Sequence, residues 1–350
     1  MELIHGGDRA GYRMTYGREP LDFSVNVSPL GLPRGALRAA EEALKRTGQY
    51  PDPLCRELRD ALAEYHGVSA ERIVCGNGAS ELIDRICRTR RPKEAAVLTP
   101  GFAEYERALS AQNCRIAEIP LINGEDFRVS EETVRAIPES CELMFLCNPN
   151  NPTGILAEEG AVRALLERCR ETGMLLVADE CFLDFTEKPE RYSLIPALEH
   201  GRNLAVLRAF TKTWAMAGLR LGYVLCGNQK LAEDLQDAGQ PWPVSSVAQA
   251  AGAAALGERD YLPKLRNLIT AERTRMIRGL ETLGFRVIHG EANFLLFQTE
   301  HRDLFHRLAE KGILIRDCGN FPGLGSGWFR VAVRTPEENS RLLQTMGEVL

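Results

Sequence analysis

Short apolar runs alternate with amphipathic stretches over the first two thirds of the chain. Seven of these runs read as strands, at residues 72–75, 95–98, 115–120, 143–147, 174–178, 204–207 and 222–226. Helix-like segments such as residues 158–171 lie between them. Nearly continuous apolar strands separated by helices are typical of a mostly parallel sheet that is covered on both faces. The pattern therefore predicts an α/β architecture for this part of the chain.

The pattern changes after about residue 228. A long helical stretch is predicted over residues 247–283, and Gly284 stands where a helix C-terminal cap is expected. Strand-like pieces follow at 285–288, 293–297, 312–315 and 328–333, which indicates a smaller α+β domain. We therefore divide the chain into residues 1–45, packing with the small domain, a large domain at 46–250 and the small domain at 251–350.

Composition narrows the class of protein. The 43 basic and 48 acidic residues give a net charge of −5, whereas nucleic-acid binders usually have a basic excess. No apolar run approaches the roughly 18 residues of a membrane helix, and charges throughout the first twenty residues argue against a secretory signal. The ten cysteines include no C-x-x-C pair and none at zinc-ligand spacing. We expect a cytoplasmic protein with buried free thiols, no metal site, and no nucleic-acid or membrane partner.

The first chemical motif is Cys75-Gly-Asn-Gly-Ala-Ser80, between a predicted strand and a predicted helix. Its glycines allow a tight turn, and a helix N-terminus with Ser80 as cap and hydroxyl donor suits a phosphate. A plain strand-to-helix turn is the alternative. The dinucleotide fingerprint fails, because no glycine falls three residues after Gly78.

The second motif, Asn148-Pro-Asn-Asn-Pro-Thr-Gly154, follows a buried strand. Prolines and asparagines make a rigid turn there, at the strand end where ligands bind in open α/β sheets. A simple turn is the alternative, but a turn alone does not require this many prolines and asparagines.

The third motif is Asp179-Glu180, which ends another apolar strand. A carboxylate at that place needs a partner, because unpaired burial costs several kcal/mol. A cationic ring nitrogen is one partner, and a structural ion pair or helix cap is the alternative.

The fourth motif runs from Arg208 to Gly222 and holds Lys212 in an apolar stretch, with Arg220 eight residues further on. Desolvation would lower the pKa of this lysine and make its amine nucleophilic. An ordinary solvated lysine is the alternative.

The order and spacing of the four motifs resemble the fold-type I pyridoxal-5′-phosphate (PLP) enzymes, the aspartate aminotransferase superfamily, over essentially the whole chain. The resemblance implies a large domain with a mostly parallel seven-stranded sheet between helices and a smaller α+β domain. It also implies PLP as cofactor and a homodimer with shared active sites.

The resemblance implies a set of cofactor contacts. Lys212 matches the lysine that forms the Schiff base with PLP, and Asp179 matches the carboxylate that keeps the pyridine nitrogen protonated. Asn151 matches the asparagine that bonds the ring O3′. The remaining matches are Gly78, Ala79 and Ser80 for the phosphate loop, Thr211 and Arg220 for further phosphate contacts, Phe102 for the stacking ring, and Tyr50 for a tyrosine from the neighbouring subunit.

Two positions depart from the family pattern. Ala209 stands where relatives often have a serine or threonine on the cofactor phosphate, so one hydrogen bond is lost or replaced by water. Phe182 stands where many relatives have a tyrosine that reaches O3′.

The two ends of the chain resemble threonine-phosphate decarboxylases more closely than histidinol-phosphate aminotransferases, the other branch of the subgroup. The segments that carry this likeness are 5–8, 22–31, 315–325 and 328–334. The substrate contacts that the resemblance implies are His5, Gly6, Asn26, Asn151, Arg316 and Arg330. Two arginines can offer bidentate bonds to a phosphate or carboxylate. The alternatives are a mobile terminal His5 and surface arginines on edge strands, and Arg334 is a further candidate that could be structural.

The function expected from this likeness is PLP-dependent decarboxylation of O-phospho-L-threonine to (R)-1-aminopropan-2-yl phosphate. In relatives that product supplies the aminopropanol linker of cobalamin. Serine phosphate differs by one methyl group and stays open as a substrate. The main alternative is histidinol-phosphate aminotransferase with 2-oxoglutarate, which shares every cofactor residue. A PLP-binding regulator without catalysis is disfavoured, because Lys212 and Asp179 are intact.

Overall fold

The computed structural model of the chain describes residues 5–122, 124 and 126–350. Its strands are β1 Leu21–Asp22, β2 Ile73–Gly76, β3 Glu94–Thr99, β4 Arg115–Pro120, β5 Leu143–Cys147, β6 Leu175–Asp179, β7 Leu204–Ala209, β8 Gly222–Cys226, β9 Arg286–Ile288, β10 Phe294–Gln298, β11 Ile313–Leu314, β12 Arg316–Asp317 and β13 Trp328–Ala332. Its α-helices are α1 Arg9–Tyr16, α2 Arg34–Leu44, α3 Arg56–His66, α4 Ala79–Arg90, α5 Ala103–Ser110, α6 Glu131–Arg135, α7 Glu159–Thr172, α8 Pro189–Tyr192, α9 Phe210–Thr213, α10 Gln229–Asp237, α11 Ser246–Leu256, α12 Tyr261–Thr282, α13 Leu304–Glu310 and α14 Pro336–Val349.

All seven predicted apolar runs form strands of one sheet, in the order β2-β8-β7-β6-β5-β3-β4. β8 runs antiparallel to both of its neighbours, and the other strands are parallel to one another. Six of the strands are buried along their whole length, whereas the edge strand β4 is largely accessible. Helices between the strands bury both faces, which explains the unbroken apolar runs and confirms the α/β fold.

The parallel strands bring three of the chemical motifs to one edge of this sheet. Cys147 at the end of β5 pairs in register with Asp179 at the end of β6. Asp179 pairs in turn with Leu207, just before α9. The carboxyl ends of the central strands therefore hold the asparagine turn, the carboxylate and the lysine side by side, as expected for a ligand site in an open α/β sheet.

The C-terminal part contains an antiparallel sheet of order β12-β13-β10-β9, with α12, α13 and α14 nearby. The N-terminal segment joins this part, since β1 pairs with β11 and the Tyr12 hydroxyl donates to the Ala309 carbonyl over 2.6 Å. In contrast, α2 packs on α11, which also packs on α3. The domain limits at residues 45 and 250 stay a prediction.

The single helix predicted over residues 247–283 is two helices, α11 and α12. Gly257 caps α11, and three residues separate it from the start of α12 at Tyr261. Glycine inside a helix costs about 1 kcal/mol relative to alanine, so a helix readily ends there. Gly284 follows α12 with a φ of +82°, which confirms the predicted cap.

All ten cysteines are buried as free thiols. Within the described residues, no helix combines the length and apolar character that crossing a membrane requires. The same residues contain no cluster of three or more His, Cys, Asp or Glu side chains arranged to bind a metal ion.

Candidate active site

A cavity of about 280 Å³ opens at the carboxyl ends of the central strands of the large sheet. Its other walls come from the N-terminal segment and from β12 and β13. The predicted residues that line it are His5, Gly6, Asn26, Ala79, Ser80, Phe102, Asn151, Asp179, Thr211, Lys212, Arg220, Arg316 and Arg330. The fold thus places residues that are far apart in the sequence around one cavity.

The glycine loop before α4 has the form of a phosphate cradle. Gly78 caps α4 with a φ of +84°, and a Cβ atom there would lie 2.6 Å from Nη2 of Arg220. A Cβ on Gly222 would lie 2.8 Å from the backbone nitrogen of Ala79, so β8 can approach the loop this closely only because residue 222 is a glycine. The free N–H groups of the first helical turn and the guanidinium suit an anion. Ser80 is the second residue of α4 and not its cap, which corrects the capping role predicted for it.

Asp179 is fixed by two hydrogen bonds. It is 4% exposed, and its Oδ2 accepts from the Tyr105 hydroxyl over 2.6 Å while its Oδ1 accepts from the Cys181 backbone N–H over 3.0 Å. The Tyr105 ring stacks on Phe145 at 4.5 Å. Burial and the neighbouring carboxylate raise the pKa of Tyr105 well above its ordinary value, so the phenol keeps its proton and donates. The carboxylate is thereby held in one orientation at the cavity wall.

Lys212 lies in α9, beside the cavity. Burial, together with the positive charge of Arg330, lowers the pKa of Lys212 to about 8. The ammonium lies 5.8 Å from the centre of the Phe182 ring, which adds apolar surroundings. About a tenth of the amine is therefore neutral at pH 7, far more than for an ordinary lysine, and a neutral amine is a nucleophile for a carbonyl carbon.

We predict that the apoenzyme takes up PLP with a rate that rises through about pH 8 and levels off above it. The reason is that only the neutral Lys212 amine can attack, and its lowered pKa makes that form available well below the ordinary lysine value of about 10.4. The measurement is the rate of the absorbance change on mixing apoenzyme with PLP across a pH series. Arg330→Gln removes one cause of the shift and should move the midpoint upward. A wild-type rate that still climbs beyond pH 10 would contradict the prediction.

Two arginines lie side by side on neighbouring strands of the small sheet. Arg316 on β12 is directly opposite Arg330 on β13, and like charges in that arrangement are destabilising unless an anion lies between them. Arg330 is 7% exposed and bonds through Nη1 to Oδ1 of Asn151. Burial, with a contribution from Arg316, lowers the pKa of Arg330 to about 10, so the guanidinium remains charged at neutral pH. Arg316 donates to Asn320 over 2.8 Å, and its guanidinium lies 5.4 Å from the Phe321 ring centre.

The other predicted substrate contacts line the same cavity as the two arginines. Asn26 is 2% exposed, and its Oδ1 has no hydrogen-bond partner among the described residues. The Nε2 atom of His5 lies 2.7 Å from Oε1 of Glu104. Arg334 does not line the cavity and donates instead to the Asp22 carbonyl and the Glu338 carboxylate, so its role is structural.

Tyr50 lies outside the cavity of its own chain. It is 80% exposed and stacks on Trp242 with ring centres 4.4 Å apart. Its contribution to a neighbouring subunit stays a prediction. The two departures from the family pattern, Ala209 and Phe182, both line the cavity.

Sequence reasoning missed several residues of the site. Tyr105 and Glu104 lie one helical turn or less beyond Phe102, so the aromatic spacing along α5 was a usable signal for the first of them. Nothing in the local sequence indicated that the two thiols Cys147 and Cys181 would line the cavity.

The sheet order, the phosphate cradle, the fixed carboxylate and the low-pKa lysine together define a fold-type I PLP enzyme. Residues 18–346 match the sequence model of the family described as aminotransferase class I and II. This chain belongs to that family, and it is a PLP-dependent enzyme.

Similar proteins have two different activities. Threonine-phosphate decarboxylase of Salmonella typhimurium is 36% identical over 352 residues, covering 99% of this chain and 96% of that protein. Histidinol-phosphate aminotransferase of Desulfitobacterium hafniense is 35% identical over 337 residues, covering 94% of this chain and 91% of that protein. The crystal structure of histidinol-phosphate aminotransferase from Sinorhizobium meliloti in complex with PLP has a TM-score of 0.87 at 25% identity, covering 100% of this chain and 95% of that one.

Proposed function

We propose that this enzyme decarboxylates O-phospho-L-threonine to (R)-1-aminopropan-2-yl phosphate, and that it thereby serves cobalamin biosynthesis. The observation that carries the phosphorylated substrate in this proposal is the pair Arg316 and Arg330, which share the cavity with Lys212. Such a pair suits a doubly charged phosphate group through charge-assisted hydrogen bonds. The likeness to threonine-phosphate decarboxylase over nearly the whole chain supports this substrate.

The cavity residues divide into those for the cofactor and those for the substrate. PLP supplies an electron sink for the bond that breaks at the substrate Cα. Asp179 would hold a proton on the ring nitrogen, and the amine of Lys212 would bond covalently to the carbonyl carbon of the cofactor. The remaining cofactor contacts proposed are Gly78, Ala79, Ser80, Thr211 and Arg220 at the phosphate, Phe102 on the ring face, Asn151 at O3′, and Tyr50 from a second copy in a homodimer.

The substrate phosphate would be anchored by the two arginines together with His5, the Gly6 backbone and Asn26. Anchoring at the phosphate fixes the direction of the bond between Cα and the carboxylate, and small errors in such positioning can cost about 100-fold in rate. The carboxylate leaves as carbon dioxide, and Cα gains one proton. Once the substrate amine has displaced it from the cofactor, the Lys212 amine, whose pKa burial lowers to about 8, would be suited to deliver that proton.

Histidinol-phosphate aminotransferase is the second candidate. The likeness to enzymes of that name favours it, and the arginine pair would serve a phosphorylated amine equally well. The two reactions differ in the bond that is broken at Cα, which the shared cofactor residues do not decide.

A paired assay on the PLP-loaded enzyme separates the two candidates. With O-phospho-L-threonine we expect release of carbon dioxide and the phosphorylated amine, and with histidinol phosphate plus 2-oxoglutarate we expect no glutamate. Glutamate without carbon dioxide would replace the proposal by the aminotransferase. O-phospho-L-serine, run alongside, measures the contribution of the methyl group, which is worth about 1–3 kcal/mol in a pocket.

A further inference from the structure

The segment formed by His5, Gly6 and Gly7 lies between the candidate active-site cavity and a neighbouring surface groove. It lines the cavity that holds Lys212, and it also lines a neighbouring groove beside α1. Two side chains bind it. Glu104 contacts the His5 ring, and the Ser24 hydroxyl accepts from the Gly7 backbone N–H over 2.8 Å.

Glu104 is built to orient His5. It is 7% exposed, and its second oxygen accepts from Nε of Arg107 over 2.8 Å. The hydrogen bond from His5, with help from Arg107, lowers the pKa of Glu104 to about 2, so it is a carboxylate at any working pH. A carboxylate only accepts, so the hydrogen between the two groups belongs to Nε2 of His5. The other ring nitrogen, Nδ1, can donate to a phosphate oxygen only when the ring carries protons on both nitrogens, and the Glu104 carboxylate is then the counter-ion of that cation.

Ser24 forms hydrogen bonds both to the same segment and to Arg330 of the arginine pair. Its hydroxyl donates to Oδ1 of Asp22 over 2.6 Å, which leaves an oxygen lone pair for Gly7. Its backbone carbonyl accepts from Nη2 of Arg330 over 3.4 Å. A Cβ atom on Gly6 would lie 2.5 Å from that carbonyl, so the close approach requires glycine.

We propose that Glu104 and Ser24 are positioning residues that hold His5 and the Gly6 backbone beside Arg330, ready for the substrate phosphate. The inference rests on the proposed function, because it assigns the phosphate to this end of the cavity. Holding the segment in advance lowers the ordering cost that binding would otherwise carry. Neither residue contacts the Lys212 amine or Asp179 in the hydrogen bonds of the described residues.

The kinetic test uses Glu104→Ala and Ser24→Ala in the PLP-loaded enzyme. Each should raise KM for O-phospho-L-threonine about tenfold, as for the loss of one hydrogen bond to a charged or ordered group, with kcat within about twofold. Glu104→Gln keeps an acceptor for His5 and should recover most of the affinity. The matched control is Glu19→Ala, which removes an exposed carboxylate bound to Arg9 and Arg13 of the adjoining helix α1 and should leave KM unchanged. Equal KM values for all four variants and wild type would overturn the proposal, and so would a loss confined to kcat.

A second measurement does not depend on which reaction the enzyme catalyses. Inorganic phosphate should slow amide hydrogen exchange of residues 5–16 in the wild-type holoenzyme and in Glu19→Ala. It should have little effect in Glu104→Ala and Ser24→Ala. Absence of carbon dioxide release together with this exchange pattern would mean that the proposed function fails while the positioning role stands. Equal protection in all variants would overturn the positioning role, even in an active decarboxylase.

Discussion

Lys212→Ala is expected to lower turnover by at least about 10³-fold, the upper part of the range for one group that moves protons in a reaction. The loss should be this large because the same amine would first bond to the cofactor carbonyl carbon and, once the substrate amine has displaced it, would deliver a proton to Cα. PLP should still bind through the loop before α4, since Gly78 and Arg220 are untouched. The measurement is carbon dioxide release from O-phospho-L-threonine, together with borohydride reduction and mass spectrometry of the protein.

The reduction step distinguishes a lost covalent link from lost binding. Reduced wild-type enzyme should carry the cofactor on the peptide that contains Lys212, and the variant should carry none. The matched control is Lys264→Ala, because Lys264 is exposed and its nearest carboxylate oxygen, on Asp260, lies 3.9 Å away. Cofactor fixed to another lysine in the wild-type enzyme would remove Lys212 from its proposed role.

Asp179→Asn is expected to lower kcat by about 10²–10³-fold, similar to the removal of one well-placed electrostatic group from other active sites. The substitution preserves shape, and the amide oxygen can still accept from the Cys181 N–H. It removes the negative charge that would keep the ring nitrogen protonated, so the cofactor becomes a weaker electron sink. The measurement is kcat at saturating substrate and PLP, with the visible spectrum as a second readout.

Tyr105→Phe separates charge from orientation in this prediction. It deletes the 2.6 Å hydrogen bond to Asp179 but leaves the carboxylate and the stacking on Phe145. We expect its effect to stay near tenfold, at the low end of the about 1.5–3 kcal/mol of a hydrogen bond to a charged group, because the carboxylate keeps its charge and its bond from the Cys181 N–H. A fall as large as that of Asp179→Asn would show that orientation, and not charge, is what the carboxylate supplies.

Six of the seven strands of the large sheet were predictable because their sequences are predominantly apolar, whereas the accessible edge strand β4 has only a short apolar pattern. A strand that is covered on both faces must have this composition wherever it lies in the chain. The motifs at the strand ends were predictable for a related reason. Parallel strands bring their carboxyl ends to one edge, so Asn151, Asp179 and Lys212 had to converge once the sheet was parallel.

The break between α11 and α12 shows the limit of periodicity. Residues 257–260 are Gly-Glu-Arg-Asp, and Gly257 was a local stop signal inside an otherwise helical pattern. The helix ends there because α11 packs on α2 and α3 and the chain then turns into α12, which periodicity alone does not show. The hydrogen bond from Tyr105 to Asp179 joins residues 74 positions apart, and no local pattern specifies such a contact.

The sequence by itself determined the fold class, the cofactor motifs and the candidate residues, because apolar patterning and strand-end chemistry are local properties of the chain. Only the tertiary structure decided that Arg316 faces Arg330, that Arg334 is structural, and that Glu104 and Ser24 hold the N-terminal segment. Those facts depend on strand register and on side chains far apart in sequence. A register shift of one residue would turn Arg330 to the opposite face of its sheet, and local composition does not set that register.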